Sequence, residues 1–139
     1  MCDVNPAKPS VVNFGSLVMN RRISLANARQ RRVHRVRSGL GSGRRLRLSV
    51  HTTGRHIYTQ LINDSEGLTI VSANSCEPYV LKMFESGGNV EAASVVGRIL
   101  AERAIAVGIS KILFDRGGGR FHGRIAAVAD SARRCGLVF

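Results

Sequence analysis

No apolar run in this 139-residue chain approaches the roughly 18 residues that a membrane span needs, so a transmembrane helix is excluded. Cysteine is scarce. Cys2, Cys76 and Cys135 are odd in number, which rules out a disulfide framework, and no CxxC spacing supports a zinc site. Cys76 and Cys135 read instead as buried structural thiols. Acid is also scarce, with 9 Asp plus Glu against 21 Lys plus Arg. Beyond residue 102 the only carboxylates are Asp115 and Asp130. A metal-dependent nuclease needs several converging carboxylates, so that class is disfavoured. No nucleophile motif accompanies His34, His51, His56 or His122, and no Gly-Lys-Ser/Thr follows the glycines near the C-terminus. The chain therefore reads as a non-enzyme with no cofactor and no metal.

What is present is a length suited to one domain and a hydrophobic content of 44%, enough to bury a core. The net charge is +12, and 18 of the 21 cations are Arg. Such a balance points to a polyanion, most often nucleic acid. Arg also favours that reading over Lys, because its planar fork matches phosphate and stacks on bases. The charge is a block: residues 19–55 hold eleven Arg and no acid, whereas 56–139 hold nine cations and eight acids. A block of this kind repels itself and suits a tail or arm that orders on a polyanion.

Three divisions follow. Residues 1–18 carry two prolines and no clean periodicity, and are expected to be a disordered extension; whether translation starts at Met1 or at Met19 stays open. They lack the charged start and long apolar core of a secretory signal; a transit peptide stays open. Residues 19–44 form a basic RNA-binding arm. Ser24 can cap a helix running from Leu25 to about Arg37, ended by Gly39, Gly41 and Gly43. Residues 45–139 form the globular domain. In it, 45–74 alternates with period two and predicts a three-stranded meander. Leu46, Leu48 and Val50 face inward on the first strand, and Ile57, Thr59 and Leu61 on the second. The turns fall at Thr52–Gly54 and Asp64–Gly67. Residues 76–88 are an irregular connection or a short helix from Tyr79 to Phe84. Asn89 caps a helix through about Val107, whose inner face is Ala92, Val96, Ile99, Leu100, Ala104 and Val107. A short strand from Ser110 to Asp115 and a helix from His122 to about Arg134 follow, the latter with Ile125, Val128, Ala129 and Ala132 inward. Meander, helix, strand and helix together give an α/β layer with a mixed sheet, its fourth strand parallel to one of the first three.

The glycine-rich loop from Asp115 to Arg120 brings backbone N–H groups and two Arg toward phosphates, or is a plain strand-to-helix turn. Asp115 is expected to orient Arg116 or Arg124. Tyr58 and Phe121 sit among cations, where a ring can stack on a base or pack in the core.

Four stretches share a pattern with a known family. They are Arg45-Leu-Arg-Leu-Ser-Val50, Arg55-His-Ile-Tyr-Thr-Gln-Leu61, Ala92-Ala-Ser-Val-Val-Gly97 with Ala101-Glu-Arg-Ala104, and Phe114-Asp-Arg-Gly-Gly-Gly-Arg-Phe-His-Gly-Arg124 running on to Phe139. From about residue 19 the chain resembles the bacterial-type large-subunit ribosomal protein eighteen family. The resemblance implies a small α/β layer with a ribonuclease-H-like motif and no nuclease activity. It implies binding to 5S rRNA, its attachment to 23S rRNA in the central protuberance, and a place near large-subunit protein five. It implies no membrane and no small-molecule substrate, and a ribosome of the bacterial cytoplasm, an organellar one remaining open. A basic RNA-binding module outside the ribosome is the alternative.

By that similarity Arg21, Arg22, Arg29, Arg31, Arg32, Arg35 and Arg37 should lie along RNA, with Arg44 beyond them. Arg47, His51, Thr53, Arg55, His56 and Tyr58 should meet 5S rRNA from the hairpin. Arg116, Arg120, Phe121, His122 and Arg124 should meet it from the glycine loop. Two residues depart from the family pattern: Gly119 stands where a Tyr or Phe is usual, and Phe121 where a Tyr is common.

Overall fold

The architecture comes from a computed structural model that describes residues 14–40 and 45–139, with side chains described from residue 27 onward. The elements are α1 (Phe14–Gly39), β1 (Arg47–Thr52), β2 (Ile57–Asn63), β3 (Leu68–Asn74), α2 (Pro78–Met83), α3 (Val90–Ala106), β4 (Leu113–Asp115) and α4 (Arg124–Arg134). Strand order is β3-β2-β1-β4, antiparallel except for the parallel β1–β4 pair. The expected α/β layer with a mixed sheet is therefore the fold.

Period-two patterning sets the sheet's sidedness. Leu48, Val50, Ile57 and Leu61 are buried, and α3 and α4 cover that face. Thr59 shares it because its hydroxyl donates to Ala73 O at 2.7 Å, so burial leaves no polar group unpaired. The opposite face carries Ser49, His51, Tyr58 and Gln60, in register across β1 and β2.

Helix α3 starts where the sequence says it should. Asn89 Oδ1 accepts from Ala92 N at 2.7 Å, satisfying one orphan donor of the first turn. Ala92, Val96, Leu100 and Ala104 are buried on its inner face and Ile99 packs at the margin. Val107 is the exception: it is the C-cap, beyond the last helical residue, and is 59% exposed rather than inward. In α4, Ile125, Val128, Ala129 and Ala132 are all buried.

Three boundaries differ from the sequence reading. Helix α1 begins at Phe14, not after Ser24, so residues 14–18 are helical rather than disordered. Ser24 is only a permissive cap, and no proline stands between Pro9 and Pro78 to interrupt the helix. Residues 1–13, and Gly41 and Gly43 expected beyond the helix end, lie outside the described residues. Strand β4 is shorter than Ser110–Asp115, because residues 110–112 pair with the C-terminal tail instead. Lys111 bridges Val138 in parallel, and Val138 N donates to Ser110 O at 2.8 Å. Helix α4 starts at Arg124 because Gly123, its N-cap, takes a φ of 55°, a left-handed conformation that suits glycine.

Candidate RNA-binding surface

The turn between β1 and β2 is closed by Thr53, whose amide donates to His56 O at 2.9 Å and whose hydroxyl adds to that bond. Thr53 Oγ1 accepts from His56 N at 2.9 Å and donates to His56 O at 3.1 Å. Thr53 is therefore occupied within the turn, leaving its neighbours to face outward. Arg55 is exposed at the tip, and among the described residues it has no carboxylate partner. His56 is half-buried, its Nδ1 lying 3.2 Å from Ser75 Oγ. The loop before α3 closes against this tip. A methyl at Gly87 would meet Ser75 Oγ at 2.7 Å, and one at Gly88 would meet Gly54 O at 2.9 Å. No local pattern signals that contact, since residues 76–88 carry no periodicity.

Tyr58 stands on the open sheet face, 37% exposed, with its ring centroid 6.5 Å from His51 and 6.4 Å from His56. This is a partly free ring among groups that can stack or donate. Its hydroxyl lies 3.6 Å from Cys76 Sγ, and that hydrogen bond raises the phenol's pKa. Cys76 is exposed in the turn after β3, not a buried thiol, because Asn74 Oδ1 holds its amide at the surface at 3.0 Å. Cys135 is half-buried against the core. Among the described residues no group of His, Cys, Asp and Glu could hold a metal ion.

The loop from Asp115 to Arg124 joins the other two cationic pieces. Arg124 Nη1 donates to Thr53 O at 2.7 Å and so ties the start of α4 to the hairpin. Arg116 Nη1 donates to Gly119 O at 3.1 Å, while Arg120 projects without a carboxylate partner among the described residues. At the other end, α1 lies against Gly118. A methyl there would meet Val33 Cγ2 at 3.2 Å and Arg29 Cγ at 3.3 Å. Between the loop and the starts of α3 and α4 runs a groove of about 510 Å³, lined in part by Thr52, Asn89, Arg120, His122 and Arg124. Both helices direct their positive ends toward it.

Asp115 does not orient Arg116 or Arg124. It is fully buried, and its Oδ2 accepts from Arg47 Nη1 at 2.8 Å and Arg37 Nε at 3.2 Å. The strand register explains this, since Asp115 pairs with Ser49 beside Arg47 on the face that α1 approaches. Arg47 is consumed further by Asp64, through bonds of 2.8 and 2.7 Å. Those bonds raise the Arg47 pKa and hold the Asp64 carboxyl below its ordinary value. Arg47 is thus a strut of the surface, with its guanidinium already engaged.

Phe121 is 46% exposed and meets Phe114 edge-on at 5.9 Å. Phe114 in turn stacks on Phe139 at 5.2 Å, and Arg133 lies 4.6 Å over the Phe139 ring. Phe121 therefore packs at one edge and has the Arg133 guanidinium 6.0 Å from its ring centroid, with almost half of its surface still exposed. A Cβ at Gly119 would meet Ile125 Cδ1 at 2.6 Å, so the larger residue the family pattern favours requires the end of that side chain to turn aside. Arg29, Arg31, Arg32 and Arg35 are exposed along α1, whereas the side chains of Arg21 and Arg22, and all of Arg44, lie outside the described residues.

An Arg-studded helix and a hairpin, each touching the cationic loop, sit on a mixed sheet. Comparison with known proteins matches this chain, over residues 23–139, to the family described as ribosomal L18 of archaea, bacteria, mitochondria and chloroplasts. The chain belongs to that family. Large ribosomal subunit protein uL18 of Moorella thermoacetica is 53% identical over 113 residues, covering 81% of this chain and 93% of the relative. The uL18 proteins of Afipia carboxidovorans and Symbiobacterium thermophilum are 42% and 43% identical, covering 85% and 87% of this chain and 98% and 100% of theirs. The L18 family is structural and non-enzymatic, and this chain is a ribosomal protein of the large subunit, not an enzyme.

Proposed function

We propose that this L18-family chain binds 5S rRNA and helps attach it to 23S rRNA in the central protuberance, beside large-subunit protein five, in a bacterial cytoplasmic ribosome. One observation carries the reading. The loop of residues 115–124 touches α1 through Gly118 and the hairpin through Arg124, so the three cationic pieces form one continuous surface. A generic basic tail would need no such joining. Phosphate neutralisation supplies the affinity, and the shape of the joined surface selects the RNA. The rings of Tyr58 and Phe121 are exposed enough to receive unpaired bases. On this reading residues 19–44 are the arm and 45–139 the RNA-binding domain.

The loop supplies the test. Replacing Arg116 and Arg120 together by Gln removes two exposed cations, and with them the Arg116 bond to Gly119 O. Two lost phosphate contacts should weaken 5S rRNA binding by about thirtyfold near 0.1 M salt. Binding to vesicles of anionic lipid, which needs only the arm, should not change. Equal 5S affinity in the double variant would remove the loop from the RNA surface and favour a simple polyanion-binding arm.

A further inference from the structure

We infer that Asp115 is the positioning residue that seats the basic arm, an inference that rests on the RNA-binding reading above. One buried carboxylate is shared by three separate pieces of the surface. Oδ2 takes Arg37 from the last turns of α1 and Arg47 from β1, while Oδ1 takes Gly117 N at 2.8 Å from the glycine loop. That last bond spans two residues and fixes the loop's course, with Gly117 at a φ of 60°. The course matters because the next residue, Gly118, is the platform on which Val33 and Arg29 rest. The same carboxylate thus sets both the ionic and the packing contact of α1.

Electrostatics explains why an anion is needed there. Arg29, Arg31, Arg32 and Arg35 on α1 face a body whose nearest loop carries Arg116 and Arg120. Like charges drive the arm away, and Asp115 offsets that repulsion at short range from a buried position where solvent screens little. Arg47 cannot swing aside to release it, because Asp64 holds the same guanidinium on two bonds. An arm seated before encounter loses less conformational freedom on RNA, so the seat raises affinity without touching a phosphate.

The sign of one substitution separates this from a pure charge effect. Asp115→Asn removes a negative charge, which by charge alone tightens RNA binding. Seating predicts the reverse: about tenfold weaker binding to 5S rRNA with the salt slope unchanged, since no phosphate contact is lost. Arg37→Gln is the second variant. It leaves Asp115 paired with Arg47 and Gly117, so the body keeps its fold. In the free full-length protein, backbone ¹⁵N heteronuclear NOEs over residues 29–37 should match those of α3 in the wild type and fall in both variants. The Gly117 amide should shift only in Asp115→Asn. Unchanged NOEs in both variants, or 5S binding by Asp115→Asn as tight as wild type, would overturn the inference. The NOE arm uses no RNA, so loosening of α1 in a protein that does not prefer 5S rRNA would refute the RNA reading while the seat stands.

Discussion

Replacing Arg29, Arg31, Arg32 and Arg35 together by Gln should cost about a thousandfold in 5S rRNA affinity near 0.1 M salt. All four are exposed along α1, and among the described residues only Arg32 makes a side-chain hydrogen bond, a long one of 3.4 Å to Ala28 O. Gln has nearly the helix propensity of Arg, so α1 should persist and the charge alone changes. Each phosphate contact contributes about 0.7–0.9 to the slope of log affinity against log salt. Four contacts therefore remove about three from the slope, and the two proteins should converge near 1 M salt, where counterion release contributes nothing. A filter-binding series from 0.1 to 1 M reads both quantities. Parallel lines would mean that α1 does not track the RNA backbone.

The second large effect is on stability. Gly97 lies where α3 crosses α4, and an added methyl would overlap Ser131 Oγ and approach Val128 O at 2.5 Å and Val128 Cα at 3.0 Å. Ser131 Oγ can rotate away only by giving up its bond to Val128 O at 3.1 Å, and the backbone atoms cannot move without separating the helices. Overpacking of this kind costs about 1–3 kcal/mol, with backbone contacts at the upper end. The gain in helix propensity from Gly to Ala is about 1 kcal/mol and offsets only part. Gly97→Ala should therefore destabilise by about 2 kcal/mol, which lowers Tm by roughly 8 °C in a chain this size. Gly54→Ala is the control, since its methyl meets nothing within 4 Å. A thermal melt of Gly97→Ala within a degree or two of wild type would show that α3 and α4 do not pack so tightly.

The fold was legible where residue periodicity carries it. Alternation in β1 and β2, the Asn89 cap and the three-four spacing of α4 are local signals, and each matches the structure. Long-range partnerships left no such mark. The tail residue Val138 shortens β4 by pairing with Lys111, yet nothing near either residue announces the other. Asp115 illustrates the same limit: Arg116 and Arg124 share its loop in sequence, but strand register hands its carboxylate to Arg47 and Arg37. Cys76 was misplaced because thiols are most often buried, whereas a turn amide bonded to Asn74 fixes this one outside. The cationic surface was readable as charge blocks, and the family pattern supplied the candidate residues on it. Its continuity was not readable, because the Arg124–Thr53 and Gly118–Val33 contacts join segments far apart in the chain.

A competition titration on the full chain bears most directly on the central claim. Labelled 5S rRNA is titrated with protein at a series of salt concentrations, in the absence and presence of excess tRNA. Tight binding that survives the competitor and weakens steeply with salt is the expected result. Equal affinity for 5S rRNA and tRNA would contradict it, leaving a ribosomal-family fold whose basic surface does not recognise 5S rRNA.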